Sequence, residues 1–227
     1  DDMIPIPDFT STYSTGGCRG FWFQSPTPFL MTGVRVPDES GQGIQNVEIV
    51  RFNSIPPVYS STTNSFTSLA RQVNIPGNSV IAVEVAIEEG DIIGILGAAG
   101  TTSQKVSYGS VSGFTSSIAG ESVTLERLGM GHNLFFHEAA DLWREPSDND
   151  IGRAEIYYQT IDAPEIIPEP PETPGTVNTV YWTASTDVSV VSYTVQCSSN
   201  SDFSSIFDQA VASSPTLTHE FQGLNAG

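Results

Sequence analysis

Residues 20–37 read GFWFQSPTPFLMTGVRVP. An aromatic run, a turn holding Pro26 and Pro28, and a second apolar run make strand, turn and strand. No 3.6-residue repeat passes through either half, so a helix is not the reading. Along an extended chain, neighbouring side chains point to opposite faces. Phe21 and Phe23 therefore share one face, and Trp22 takes the other.

The same signal recurs outward from this stretch. Residues 44–52 (IQNVEIVRF) alternate Val47 and Ile49 with Glu48 and Arg51, and Pro56-Pro57 ends the run, because proline cannot donate to a ladder. Residues 79–87 (SVIAVEVAI) make another strand. The turn Glu89-Gly90-Asp91 leads into IIGIL at 92–96, an apolar run suited to a sandwich interior. ESVTLERL at 121–128 and RAEIYY at 153–158 complete the set. No stretch makes a convincing amphipathic helix, and the nearest candidates are 64–71 (NSFTSLAR) and 137–144 (HEAADLWR). Each is about two turns long and reads as a short surface helix capping one end. The expected fold class is all-β: a jelly-roll-like antiparallel β-sandwich, followed by a second, incomplete immunoglobulin-like or fibronectin III-like sandwich.

The boundary between them is APEIIPEPPETP at 163–174. Its five prolines and three glutamates make it extended and stiff, with little apolar area to bury. It reads as a linker between a domain at 1–162 and another at 175–227. The second contains VNTVYWTAS at 177–185, VVSYTVQCS at 190–198 and a Leu before an Asn-Ala-Gly turn. With Trp182, Tyr193 and Leu224 in these places, it resembles a fibronectin type III domain. The resemblance implies that Trp182 and Leu224 are core residues, with Tyr193 packed beside them. Such domains have seven strands, and two of them would follow this turn. Three explanations stay open: the natural chain continues past Gly227, a partner supplies the strand, or the segment departs from the family.

For the first domain, GCRGFWFQSPTPFLMTGVRVP at 17–37, EEGDIIGILGAAGTT at 88–102 and GRAEIYYQ at 152–159 resemble domains of secreted or surface-anchored bacterial proteins. The resemblance covers roughly 16–160. It implies an extracellular location at a bacterial cell surface and transfers no functional residue.

Charge narrows the partners. The chain has 26 acidic and 8 basic residues, a formal net charge of −18, and Lys105 is its single lysine. Such a chain repels a phosphate backbone, which argues against nucleic acid. It also repels anionic lipid, and no apolar run approaches the roughly 20 residues of a membrane helix. The opening Asp1-Asp2-Met3 fits a mature exported chain. Cys18 and Cys197 lie far apart, in different domains, and are expected to be unpaired.

Catalytic patterns are missing. Gly109-Ser110-Val111-Ser112-Gly113 has valine where a Gly-x-Ser-x-Gly nucleophile would stand. His132 and His137 are five apart, a spacing that aligns side chains on neither a helix nor a strand. Glu88, Glu89 and Asp91 cluster in a turn, where acids are usually solvated. Glu126, Glu138, Asp141 and Glu145 are scattered through a less regular region. The oxygen-rich loop Asp148-Asn149-Asp150 is the candidate calcium site, with Asp38-Glu39-Ser40 a second acidic loop, and no cofactor is otherwise required. An outward Trp22, joined by Trp143 and Tyr157, is the candidate ligand surface, because a flat apolar ring stacks on a sugar. The expected function is a non-enzymatic extracellular binding or adhesion module for a glycan or other cell-surface ligand. A fibre subunit that assembles with copies of itself, and a secreted polysaccharide hydrolase or its accessory module, are the alternatives.

Overall fold

The computed structural model describes residues 1–14, 16–146, 149–161, 164–168, 176–185, 190, 192–198, 200 and 203–223. The chain forms two units, Asp1–Thr160 and Ile161–Gly227. The strands of the first are β1 (Asp2–Met3), β2 (Ser11–Ser14), β3 (Cys18–Gln24), β4 (Phe29–Arg35), β5 (Ile44–Phe52), β6 (Phe66–Pro76), β7 (Ile81–Ile87), β8 (Ile92–Ala99), β9 (Lys105–Val111), β10 (Phe114–Ile118), β11 (Glu121–Met130), β12 (Trp143–Glu145), β13 (Asp150–Gly152) and β14 (Glu155–Thr160). Those of the second are β15 (Val177–Tyr181), β16 (Ser192–Ser198), β17 (Ile206–Ser213) and β18 (Thr218–Gln222). The fold is all-β, every strand pair is antiparallel, and no helix occurs among the described residues.

Two sheets make the first unit. One has the order β1-β14-β4-β7, and the other runs β10-β11-β3-β8-β5-β6, with β2, β9, β12 and β13 attached at its side. When β2 and β9 to β13 are set aside, eight strands remain. Their chain order reads first, eighth, third, sixth in one sheet and second, seventh, fourth, fifth in the other. This interleaving is that of a jelly-roll-like sandwich.

The core between the sheets follows from alternation. Phe21 and Phe23 pair with Ile95 and Ile93 across β3 and β8. Phe29 and Met31 pair with Ile87 and Val85 across β4 and β7. These eight side chains belong to one buried cluster. Each fully buried large side chain contributes about 1.5–3 kcal/mol.

The other face of the large sheet is covered as well. Cys18, Trp22, Val50, Leu96 and Leu128 form a second cluster with Leu134 and Leu142, so the segment 131–142 lies on that face. Gly94 makes room for two strand side chains of this cluster: a Cβ there would come within 2.7 Å of Phe52 and 2.8 Å of Leu128.

Neither of the two nearest helix candidates is a helix, in keeping with the absence of a convincing amphipathic pattern. Residues 66–71 belong to β6, which pairs with β5 from Phe52↔Phe66 to Ile44↔Pro76. Ladder bonds to a buried neighbour outweigh a weak local pattern that could support only two turns. Residues 137–142 form the covering segment and lead into β12.

The N-terminal lead-in is built into the same sandwich. Ile4 is buried and its N–H donates to Ile156 O at 3.0 Å. Pro5 O accepts from Ser116 Oγ at 2.5 Å, and Pro7 O accepts from Arg153 Nε at 3.0 Å.

The second unit consists of two ribbons, β15-β18 and β16-β17. Trp182 and Tyr193 meet edge to face at 5.8 Å and bury Ala212 with them. Part of the proline-rich stretch joins this unit. Ile167 N donates to Tyr181 O, and Thr183 N donates to Glu165 O, both at 2.8 Å. The rest of that stretch, and Leu224, fall outside the described residues. Cys18 and Cys197 are free thiols in separate units.

Candidate functional site

The best-formed aromatic surface of the first unit is built on Trp143. In the register of β11 and β12, Trp143 lies opposite Gly129, and a Cβ on Gly129 would stand 2.7 Å from the indole Cε2. The missing side chain is what lets the ring settle against the sheet. Trp143 is 7 % exposed, and its Nε1–H donates to Glu145 Oε1 at 3.2 Å. The Arg19 guanidinium lies 5.2 Å from the ring centroid, within cation–π range.

Tyr59 completes the surface. Its ring centroid is 5.3 Å from that of Trp143, at a tilt of 51°, and the residue is 62 % exposed. Ile55 and Val58 are exposed beside it in sequence. Residues 53–65 that carry them are pinned at several points. Asn53 N donates to Ser65 O at 3.1 Å, and Tyr59 N donates to Arg144 O at 3.1 Å. Arg144 N donates to Pro57 O at 2.9 Å, and Arg144 Nε donates to Pro56 O at 3.0 Å. Thr63 and Leu142 exchange both backbone bonds at 2.9 and 3.0 Å. An exposed aromatic held by its backbone loses little freedom on binding.

Charged groups surround this surface. Arg127 Nε pairs with Glu145 Oε2 at 2.5 Å, and Arg144 pairs with Glu126 at 3.3 Å. The Arg127 guanidinium also lies 5.3 Å from the Tyr108 ring. Of the scattered acids, Glu126 and Glu145 are thus ion-paired and Asp141 accepts from Asn64, while Glu138 is exposed; in the turn at 88–91 Asp91 accepts from Glu88 N and pairs with Arg51 at 3.0 Å.

The three aromatic residues expected to form one ligand surface are not brought together. Trp22 does oppose Phe21 and Phe23, but its face is not open. It is 7 % exposed within the second cluster, covered by the segment that carries Leu134 and Leu142. Tyr157 is on the smaller sheet, half-buried, with its hydroxyl donating to Glu155 Oε2 at 2.9 Å. Burial and that bond push its hydroxyl pKa up. Glu155 is itself gripped by both nitrogens of a bidentate Arg35, at 2.5 and 2.7 Å. Trp143 is as buried as Trp22 and belongs to the candidate surface only as the ring behind the exposed Tyr59. Tyr59 was missed, and the signal for it was its place two residues after Pro56-Pro57, where a stiff loop exposes what it carries.

The calcium loop is described only in part, since Asp148 falls outside the described residues. Asn149 O accepts from Ser112 N at 2.8 Å, and Asp150 O accepts from Arg127 at 2.5 Å. The Asp38 carboxylate accepts from Gln42 N and Gly43 N, at 2.8 and 2.7 Å, and so caps its own loop. Among the described residues, no group of three or more His, Cys, Asp and Glu side chains is arranged to hold a metal ion. His132 and His137, expected to point apart, stand with ring centroids 5.5 Å apart. The irregular path of 131–142 brings them together where neither regular spacing would.

The second unit has an apolar groove of about 740 Å³, lined by Trp182, Tyr193, Val195, Phe203 and Phe221 among others. The Trp182 indole N–H is buried there and meets no acceptor among the described residues.

Compared with protein-family models, curated proteins and solved structures, the chain matches none.

Proposed function

We propose that this chain is a non-enzymatic binding module of a protein exported to a bacterial cell surface, and that its first unit takes a glycan on the Tyr59–Trp143 surface. The observation that carries this reading is an exposed Tyr59 ring backed by a buried tryptophan on a loop tied down at both ends. A sugar ring presents an apolar face of axial C–H groups to such a platform. Neighbouring Arg and Glu side chains supply donors and acceptors for hydroxyls. The test is binding to a glycan panel by the whole chain and by Tyr59→Ala. Removing an exposed ring should leave stability within about 0.5 kcal/mol. Affinity should fall about tenfold or more, or ~1.4 kcal/mol. Trp22→Phe, on the covered face, should bind as before. Undiminished binding by Tyr59→Ala removes this surface from the reading.

A fibre subunit is the second reading, and one observation favours it. Strands β16, β17 and β18 each have a single paired edge among the described residues, beside an open apolar groove. Unpaired edges accept strands from a second copy. The second unit carries eight acids and no lysine or arginine. Self-association should therefore strengthen with salt, as screening relieves repulsion between copies. Light scattering across a concentration and salt series tests it: a monomer under all conditions rejects the fibre.

A further inference from the structure

The segment 131–142 holds two imidazoles at a separation that suits a shared ion. The chain leaves β11 at Met130 and makes one tight turn, in which the Phe136 and His137 N–H groups donate to Asn133 O at 3.1 and 3.0 Å. Asn133 also accepts from Phe135 N through Oδ1 at 2.9 Å and donates through Nδ2 to Thr101 O at 2.8 Å. Leu134, fully buried, anchors the turn from below. His132 and His137 are both exposed at its two ends. Their ring centroids lie 5.5 Å apart, with the planes inclined at 51°.

Two imidazoles on one tetrahedral zinc, each nitrogen ~2.0–2.1 Å from the metal, have centroids roughly 5 Å apart. The observed separation is within half an ångström of that, so the two rings stand at a distance that one ion can bridge. A carboxylate stands behind the pair. Asp141 Oδ2 is 3.7 Å from His132 Nε2. Asp141 is fixed in turn by Asn64, whose Nδ2 donates to Asp141 Oδ1 at 2.9 Å and whose Oδ1 accepts from Asp141 N at 2.8 Å. The 3.7 Å gap to His132 is wider than a hydrogen bond; closing it by about 0.7 Å would let the carboxylate accept from Nε2–H, which sets the tautomer and leaves the other nitrogen as the ligand. With Nε2 facing Asp141, the ligating atom of His132 is Nδ1.

We propose that His132 and His137 form a two-imidazole site for a borderline divalent transition metal of the zinc, nickel or copper(II) kind, with Asp141 as the residue that orients His132. The protein supplies two ligands, and water or an incoming donor fills the remaining positions. Imidazole suits these metals, whereas calcium takes oxygen ligands, so the site is separate from the acidic loop at 148–150. The assignment stands independently of the aromatic surface around Tyr59.

The test is isothermal titration of the whole chain with zinc and, separately, nickel, alongside His132→Ala, His137→Ala and Asp141→Asn. Both histidines are exposed, so the variants should fold, and matching circular dichroism spectra check this. Saturable binding of one ion is expected, lost in each histidine variant and weakened in Asp141→Asn. Imidazole resonances of both histidines should shift together in nuclear magnetic resonance spectra as zinc is added. Failure of the intact chain to bind saturably, or binding that survives either histidine substitution, overturns the proposal.

Discussion

Glu48→Ala should unfasten the segment 131–142 from the sheet beneath it. Glu48 is 1 % exposed, in the middle of β5. Its Oε1 accepts from Ser68 Oγ at 2.8 Å, and its Oε2 accepts from Ala139 N at 2.9 Å. Arg71 Nε stands 3.5 Å from the same oxygen, and Arg71 donates onward to Leu134 O at 3.0 Å. One carboxylate thus ties β6 and the covering segment to β5. Alanine would leave a hydroxyl and an amide without their acceptor and a guanidinium without its counter-ion. Breaking one partner of a buried charged pair costs about 3–5 kcal/mol. At roughly 2–4 °C per kcal/mol for a unit of this size, the first unit's melting temperature should fall by roughly 6–20 °C. Calorimetry reads that shift. Hydrogen exchange reads its location, because the Ala139 amide should exchange faster. Glu48→Gln should lose less, since its carbonyl oxygen still accepts one bond. A loss below about 1 kcal/mol for Glu48→Ala, with Ala139 exchange unchanged, would refute the staple.

Other expectations follow from single positions. Burial pushes the Cys18 thiol up to about 12 from 9.0. A thiol reagent at neutral pH should therefore spare Cys18 in the native protein, while half-buried Cys197 reacts, and two fast thiols would contradict the burial. The same shift has a sign: below pH 9 the thiol is protonated in both states, and between 9 and 12 only the unfolded chain releases the proton. Its contribution to stability is therefore full below pH 9 and falls by about 1.4 kcal/mol per pH unit above it. Subtracting the urea-unfolding curve of Cys18→Ala from that of the native chain, over this range, isolates the slope. Gly129→Ala should displace the Trp143 indole and cost about 1–3 kcal/mol, as overpacking does. Its fluorescence should shift to the red, and an unchanged spectrum would mean that the ring does not rest on Gly129.

The seven strands marked by alternation and turn residues were legible because burial on one face writes a period of two into the sequence. Phe21 and Phe23 against Trp22 is the clearest case. What the pattern could not say was that the second face is buried too. Residues 45–50 are all buried, so Glu48, which alternation sets opposite Val47 and Ile49, is an interior tie. The same covering segment hides Trp22, which by alternation alone would face solvent. Strand β6 is half-exposed along most of its length and carries little apolar signal, so 64–71 resembled a short helix. Tyr59 and the paired histidines sit on irregular chain, where periodicity carries no information. Their positions come from backbone bonds to Arg144 and within the turn at Asn133.

The first and last strands of the first unit lie side by side. Asp2 pairs with Tyr158, and Gln159 Nε2 donates to Asp1 Oδ1 at 2.8 Å. Entry and exit of the chain are therefore neighbours. A unit with adjoining ends can be spliced into a host loop, or strung in tandem, without stretching its sandwich. It can also be circularly permuted: a few residues bridging 160 to 1, with new ends cut at the Ala119-Gly120 turn, would leave every sheet neighbour in place.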